Sequence, residues 1–125
     1  MMFDRLAYNL EYFFRFLKRG QLARAVGMLM DYWESGCTEP DVWDLHADLL
    51  RYVLPRLRLF RRYNVNSFPM GMTFEQWKSS QDDMIFALEL VLDNDHPASY
   101  YTEEVMQRYR RGLELFGKYL PDLWD

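Results

Sequence analysis

The stretch LLRYVLPRLRLFRRY, residues 49–63, decides the fold. Leu50, Val53, Leu57 and Phe60 recur at three- and four-residue intervals, the spacing that lines one face of an α-helix and not the alternation of a strand. Pro55 lies inside the pattern. It removes an N–H that would bond the carbonyl of Arg51, at a cost of roughly 3 kcal/mol, normally taken up as a kink. At about 100° per residue, Arg51, Arg58 and Arg62 fall within about 40° of one another, roughly opposite the apolar stripe. Arg61 borders the apolar face and Arg56 stands apart. The default reading is the solvated side of an amphipathic helix, with some pairs to acidic neighbours. The functional reading is a recognition stripe for phosphate, a nucleotide or an acidic protein surface. Arginine outnumbers lysine twelve to three in the chain, a bias that favours planar, bidentate recognition.

Working outward, helical periodicity continues in both directions. Phe3, Leu6, Leu10, Phe13 and Leu17 share one face of a segment over about residues 3–18, which Gly20 breaks. Leu22, Ala25, Val26, Leu29 and Trp33 align on a second, which Gly36 stops. After the turn SGCTEPD (35–41), Thr38 caps a third helix expected over about 39–63, with Pro40 in its first turn and Glu39 and Asp41 at the positive end of its dipole. NVNSFPMGMT (64–73) is a connection long enough to carry a contact. Thr73 with Gln76 forms a capping box for a fourth helix, whose buried stripe is Trp77, Met84, Ile85, Leu88, Val91 and Leu92. Thr102 caps a fifth with the stripe Val105, Tyr109, Leu113, Phe116 and Leu120. Gly112 shares that stripe, where a missing side chain lets a neighbouring helix approach closely. Pro121 ends the helix and leaves DLWD (122–125) as a tail. No segment has the alternating, β-branched pattern of a strand. The expected fold is all-α, a compact bundle of four to five helices in a single domain spanning 1–125.

Composition narrows the class of function. At 125 residues, half of them apolar and 18% aromatic, the chain can build one hydrophobic core and is not disordered. Its net charge of −4 argues against generic nucleic-acid binding. Between Leu49 and Phe74, however, stand five arginines and no acid, so the remainder carries 10 basic against 19 acidic residues, a net of −9. The lone Cys37 cannot form an internal disulfide and fits a reducing compartment. No signal peptide or membrane-length apolar run is visible, and the expected location is the cytoplasm.

Each candidate chemistry has a plainer alternative. Asp44 and Asp48 are one helical turn apart, but His46 points elsewhere and no E-x-x-H or H-E-x-x-H motif is present, so no metal is expected. In DNDHPASYYTEE (93–104) Asp93, Asp95 and Glu104 have calcium-loop spacing, but Pro97 and Ala98 defeat the loop geometry. Cys37 with His46 or His96 has no motif around it. Asp82 and Asp83 diverge by about 100° on a helix, which suits a solvated pair or a helix–helix salt bridge better than paired acid catalysis. Trp33, Trp43, Trp77 and Trp124 could stack on bases, though most aromatics lie on core stripes. Phe68, Tyr100 and Tyr101 fall in expected loops and are better placed for a partner.

Four segments together carry a resemblance: DVWDLHADLLRYVLPRL (41–57), FPMGMTFEQW (68–77), DDMIFALEL (82–90) and LELFGKYLPDLWD (113–125). In this order they resemble a family of small proteins of phage, prophage and viral metagenomes: D-x-W-x-L-D, a proline-containing helix, T-x-E-x-W, a Met-Ile pair and a terminal L-W-D. The similarity covers about residues 36–125. His46 stands where the pattern has an acid, and Ser80 and Gln81 replace apolar residues, from which a less deeply packed fourth helix is expected. The resemblance implies an origin and not an activity: a viral accessory protein acting in a bacterial cytoplasm.

The resulting expectation is a non-enzymatic binding protein without cofactors. It would antagonise a bacterial anti-phage defence by covering a host or phage protein, or by sequestering a small nucleotide. The alternative is a structural or nucleic-acid-associated accessory in packaging or replication. The candidate contact residues are Arg51, Arg58, Arg61, Arg62, Phe68, Tyr100 and Tyr101. Uncovered apolar helix faces in so short a chain lead to an expected homo-oligomer.

Overall fold

Helix starts are set by side-chain caps where the sequence places threonine. Thr73 Oγ1 accepts the Gln76 N–H at 3.1 Å while Gln76 Oε1 accepts the Thr73 N–H at 2.9 Å, a reciprocal arrangement that satisfies two otherwise orphaned donors. Thr102 Oγ1 accepts the Val105 N–H at 3.3 Å. In the structure, a computed structural model that describes residues 2–65 and 67–124, five helices follow: α1 (Met2–Lys18), α2 (Leu22–Ser35), α3 (Leu45–Tyr63), α4 (Phe74–Leu92) and α5 (Glu103–Tyr119). Short 3-10 turns lie at Glu39–Val42, Ala98–Tyr100 and Leu120–Asp122. Of the described residues 78% are helical and none is in a strand, as the sequence leads one to expect. The chain divides into two compact units, 1–45 and 46–125.

One expected helix is in fact two elements. A continuous helix over about 39–63 does not form: a 3-10 turn ends at Val42 and α3 begins at Leu45. The cause is local competition for the backbone. The Asp41 carboxylate folds back to accept the Thr38 N–H at 2.8 Å and the Thr38 hydroxyl at 3.1 Å, which holds the turn tight. Trp43 stacks edge-on against Tyr12, ring centroids 4.8 Å apart.

In the unit 1–45, α1 and α2 form a hairpin around Phe16, Ala25 and Met28, with Tyr12 and Phe13 packed against them. Gly20 makes the turn at φ +70°, a conformation that glycine adopts without strain. The sequence stripes are not what is buried. Leu6, Leu10 and Leu17 on α1, and Leu22, Val26, Leu29 and Trp33 on α2, are all exposed; the side chain of Phe3 lies outside the described residues. Each apolar arc is wider than the strip buried between the two helices, and the buried strip sits at the arc's edge.

The unit 46–125 is packed on more sides. Leu50, Leu54 and Leu57 of α3 meet Trp77, Met84 and Leu88 of α4 in one core. Leu115, Phe116 and Tyr119 of α5 close it, with Leu123 packed back from the tail. The α5 stripe is therefore rotated from the expected one, since Leu113 and Leu120 are exposed. A Cβ on Gly112 would stand 2.1 Å from the Asp83 carbonyl oxygen and 2.6 Å from the Ala87 Cβ, so the glycine permits the approach of α4 and α5. The expectation of a shallowly packed α4 is overturned: Ser80 and Gln81 are both buried, Gln81 completely. Gln81 stands on the helical stripe of Trp77, Met84 and Leu88 that faces the core, and its position draws it inward whatever its polarity.

The connection 64–73 is pinned from below. The Trp77 indole N–H donates to Asn64 Oδ1 at 3.1 Å, and the Asn64 amide donates to Ser67 Oγ at 3.0 Å. The Lys78 ammonium donates to the carbonyls of Arg61 and Asn64. It thereby supplies a cation to the negative end of α3.

Candidate functional site

The arginines of 49–63 are engaged within their own unit. Arg58 donates to Glu89 Oε1 through both Nε (3.3 Å) and Nη2 (2.7 Å). Arg61 makes a two-pronged contact with Asp82, which raises its guanidinium further above the ordinary value. Arg51 lies 3.6 Å from Asp48, one helical turn back. Arg56 covers the Tyr52 ring at 3.7 Å and donates to the Tyr52 carbonyl. Arg62 stacks near Tyr63 at 5.5 Å, with no carboxylate partner among the described residues. Arg58 and Arg61 thus bridge α3 to α4, and an anion approaching them or Arg51 would compete with carboxylates already in place. Asp82 and Asp83 behave as a diverging pair: Asp82 turns to α3, while Asp83 accepts from Arg108 at 2.9 Å and Arg111 at 3.0 Å on α5.

The candidate loop aromatics are not brought together with those arginines. Phe68 is exposed and meets Phe74 edge-on at 6.4 Å. Tyr100 stacks on His96 at 4.2 Å and Tyr101 packs against Tyr100 at 5.5 Å, so these rings are spent on one another. The adjoining cleft, lined by Phe86, Glu89, Leu90, Asp93, His96 and Tyr100, measures about 210 Å³. That is below the roughly 300–1,000 Å³ of small-molecule sites. No group of three or more His, Cys, Asp or Glu gathers around a possible metal position among the described residues.

The strongest site lies in the hairpin. Leu6, Leu10, Phe13 and Phe14 of α1 face Met28, Leu29 and Tyr32 of α2 across a groove of about 250 Å³ whose walls are almost wholly apolar. The α2 wall continues along the stripe Leu22, Val26, Leu29 and Trp33, one helical turn apart. Trp33 is 90% exposed. A groove of this size accepts side chains, not a nucleotide, and an exposed aromatic beside an apolar groove is the usual composition of a protein-binding hot spot.

A polar node holds the hairpin in shape beside that groove. Asp41 is buried, and its Oδ2 accepts from the Thr38 N–H and hydroxyl and from the Asn9 amide at 3.1 Å. Arg5 Nε lies 3.6 Å from Oδ1. Arg24 crosses to Glu39 in a bidentate contact that lowers the carboxyl below its ordinary range and raises the guanidinium above its own. A cleft of about 420 Å³ opens beside Arg5, Asn9, Tyr32, Cys37 and Asp41. Its one cation faces its one carboxylate, which leaves little net charge to attract an ion.

Sequence reasoning missed the hairpin face because it assigned these residues to a core. The signal available was that two short segments each carried an apolar arc wider than one neighbour could cover. No helix among the described residues is long and apolar enough to cross a membrane. No protein-family model, curated protein or solved structure matches the chain.

Proposed function

We propose that the chain is a non-enzymatic accessory protein of phage or prophage that acts in the bacterial cytoplasm by covering a surface of a host protein, as an antagonist of anti-phage defence. The setting comes from the family resemblance of residues 36–125. The mode of action rests on one observation: the open apolar groove of the α1–α2 hairpin together with the exposed apolar stripe of α2 that includes Trp33. Contiguous apolar surface of this kind is costly to leave in water and marks interaction sites. A protein partner is favoured over a nucleotide because Arg58, Arg61 and Arg51 are already paired with Glu89, Asp82 and Asp48, and because the groove is apolar and narrow.

The test is site-specific photo-crosslinking in bacteria carrying the protein during phage infection. A photoreactive residue at position 33 is expected to give one discrete adduct, lost in Leu10→Glu/Leu29→Glu, together with loss of protection of the phage. Full phage protection by a folded Leu10→Glu/Leu29→Glu variant would overturn the proposal. A nucleotide retained in the freshly purified protein, read from its absorbance ratio and mass spectrum, would favour sequestration instead.

A further inference from the structure

A second uncommitted surface runs the length of α3, on the side away from its core. Leu45, Leu49, Tyr52, Arg56, Leu59 and Tyr63 are all exposed, and their spacing is 4, 3, 4, 3, 4. That is the seam of a two-stranded coiled coil. It is distinct from the buried stripe Leu50, Leu54 and Leu57 on the same helix. α3 therefore carries two apolar faces, one of which holds the fold while the other is exposed along its length.

We propose that α3 pairs antiparallel with α3 of a second copy along this seam. The residues themselves select the orientation. In a parallel pair each layer meets its own kind, which sets Arg56 against Arg56 in the centre. In an antiparallel pair centred near residue 54, Leu45 meets Tyr63, Leu49 meets Leu59, and Tyr52 meets Arg56 of the second copy. Arg56 already shows that it takes a tyrosine face, covering Tyr52 of its own chain at 3.7 Å, and such stacking suits a guanidinium. The flank agrees. Positions 48, 55 and 62 border the seam on one side, and antiparallel pairing brings Asp48 opposite Arg62 of the second copy at both ends. Asp48 also lies 3.6 Å from Arg51 of its own helix, while Arg62, like Arg56, has no carboxylate among the described residues.

Size decides the strength. Six exposed side chains of roughly 150–200 Å² each, about half of it exposed, offer about 500 Å² per chain. A pair would bury on the order of 1,000 Å², the lower bound for a specific interface, so the dimer is weak and reversible. The seam is also shorter than the three to four heptads that an isolated coiled coil needs. Here the helix is already formed, because its other face is packed in a core, and the cost of nucleating it falls on folding and not on association. This inference concerns a different surface from the hairpin and does not rest on it.

Sedimentation of the full chain, from low micromolar to hundreds of micromolar, is the test. The wild type is expected to pass from monomer to dimer with a midpoint in the tens of micromolar. Leu49→Glu/Leu59→Glu should stay monomeric throughout, and Arg62→Glu should weaken the dimer several-fold. Orientation is read in a Cys37→Ser background with a short bismaleimide. Pro55→Cys, beside the two-fold axis, should crosslink efficiently. Leu49→Cys should not, since antiparallel copies hold that position about 15 Å apart along the axis. A monomer at every concentration overturns the proposal; if Leu49→Glu/Leu59→Glu then also lowers that monomer's melting temperature, the seam is covered within one chain. A dimer that survives the seam variant but is lost in Leu10→Glu/Leu29→Glu overturns it as well and assigns self-association to the hairpin. Crosslinking at Leu49→Cys but not at Pro55→Cys contradicts the antiparallel orientation.

Discussion

In the unit 46–125, Leu50, Leu54, Leu57, Trp77, Met84 and Leu88 are each at most 5% exposed. In the unit 1–45 the comparable side chains are Phe16, Ala25 and Met28, while Leu22, Leu29, Met30 and Trp33 stay more than half in water. Both units are made of amphipathic helices with similar composition. They differ in the number of neighbours each helix has. Two helices, α3 and α5, and a returning tail pack against α4, whereas within the unit 1–45 α1 and α2 pack on each other. The lesson is that an apolar stripe in a sequence states a demand for burial but not who meets it. Where the chain supplies too few helices, the demand remains on the surface and becomes a binding property.

The largest expected effect tests the packed side of that comparison. Gly112→Ala would push a methyl group against the backbone of α4 at Asp83, which cannot rotate away as a side chain could. We expect a loss of about 3 kcal/mol, the upper part of the range for overpacking, read as a reduced denaturant midpoint with α4 and α5 losing protection together. A variant of wild-type stability would mean that α4 and α5 are not held as closely as described.

The next effect concerns the sparse unit, whose shape leans on a polar node in place of a large core. Asp41→Ala removes the acceptor for the Thr38 N–H and for Asn9, leaving buried donors without partners. The expected cost is about 1–3 kcal/mol, confined to amides of α1, α2 and the 39–42 turn in hydrogen exchange. Loss of protection spread equally over α4 and α5 would argue against a separate hairpin unit.

Gln81 should act with the opposite sign. It is completely buried, and neither end of its amide finds a hydrogen-bond partner among the described residues. Gln81→Met keeps the volume and removes the unmet polar groups, so a gain of about 1 kcal/mol is expected, measured by thermal or chemical unfolding. A destabilised variant would show that the amide is in fact bonded.

The smallest effect on stability falls on the hairpin face. Leu10→Ser/Leu29→Ser alters two exposed side chains and should change unfolding free energy by no more than about 0.5 kcal/mol per site. It should nonetheless lower the binding of an apolar fluorescent probe, because the groove is open and its walls are almost wholly apolar. Strong destabilisation would make these residues core, as the periodicity alone suggests.

Much of the fold is readable from the residues. Thr73 with Gln76, Thr102, Gly20, Gly36 and the role of Gly112 all follow from local chemistry that tertiary contacts leave intact. The break between Val42 and Leu45 is not readable, since it depends on Asp41 turning back to Thr38 while Asn9, distant in sequence, adds a third donor. The rotation of the buried strip on α1 from Leu6, Leu10 and Leu17 to Phe16 is equally hidden, because periodicity defines an arc and only a partner selects its edge. The candidate site divides the same way. The outward direction of Arg51, Arg58 and Arg62 is legible in the helical spacing. Their engagement by Glu89 and Asp48, or in the case of Arg62 its lack of a carboxylate, is a property of which helix lies beside α3. The heptad seam from Leu45 to Tyr63 was present in the letters as well, but it becomes visible only once the structure shows which of two apolar stripes on α3 is consumed.

Native-state hydrogen exchange on the intact chain at low concentration tests the central claim most directly, because it reports the opening free energy of each helix separately. The account predicts that amides of α4 and α5 exchange only through global unfolding, while those of α1 and α2 open with a free energy several kcal/mol lower, raised when a partner covers the groove. Equal protection across α2 and α4 in the isolated chain would contradict it, since the hairpin face would then already be satisfied.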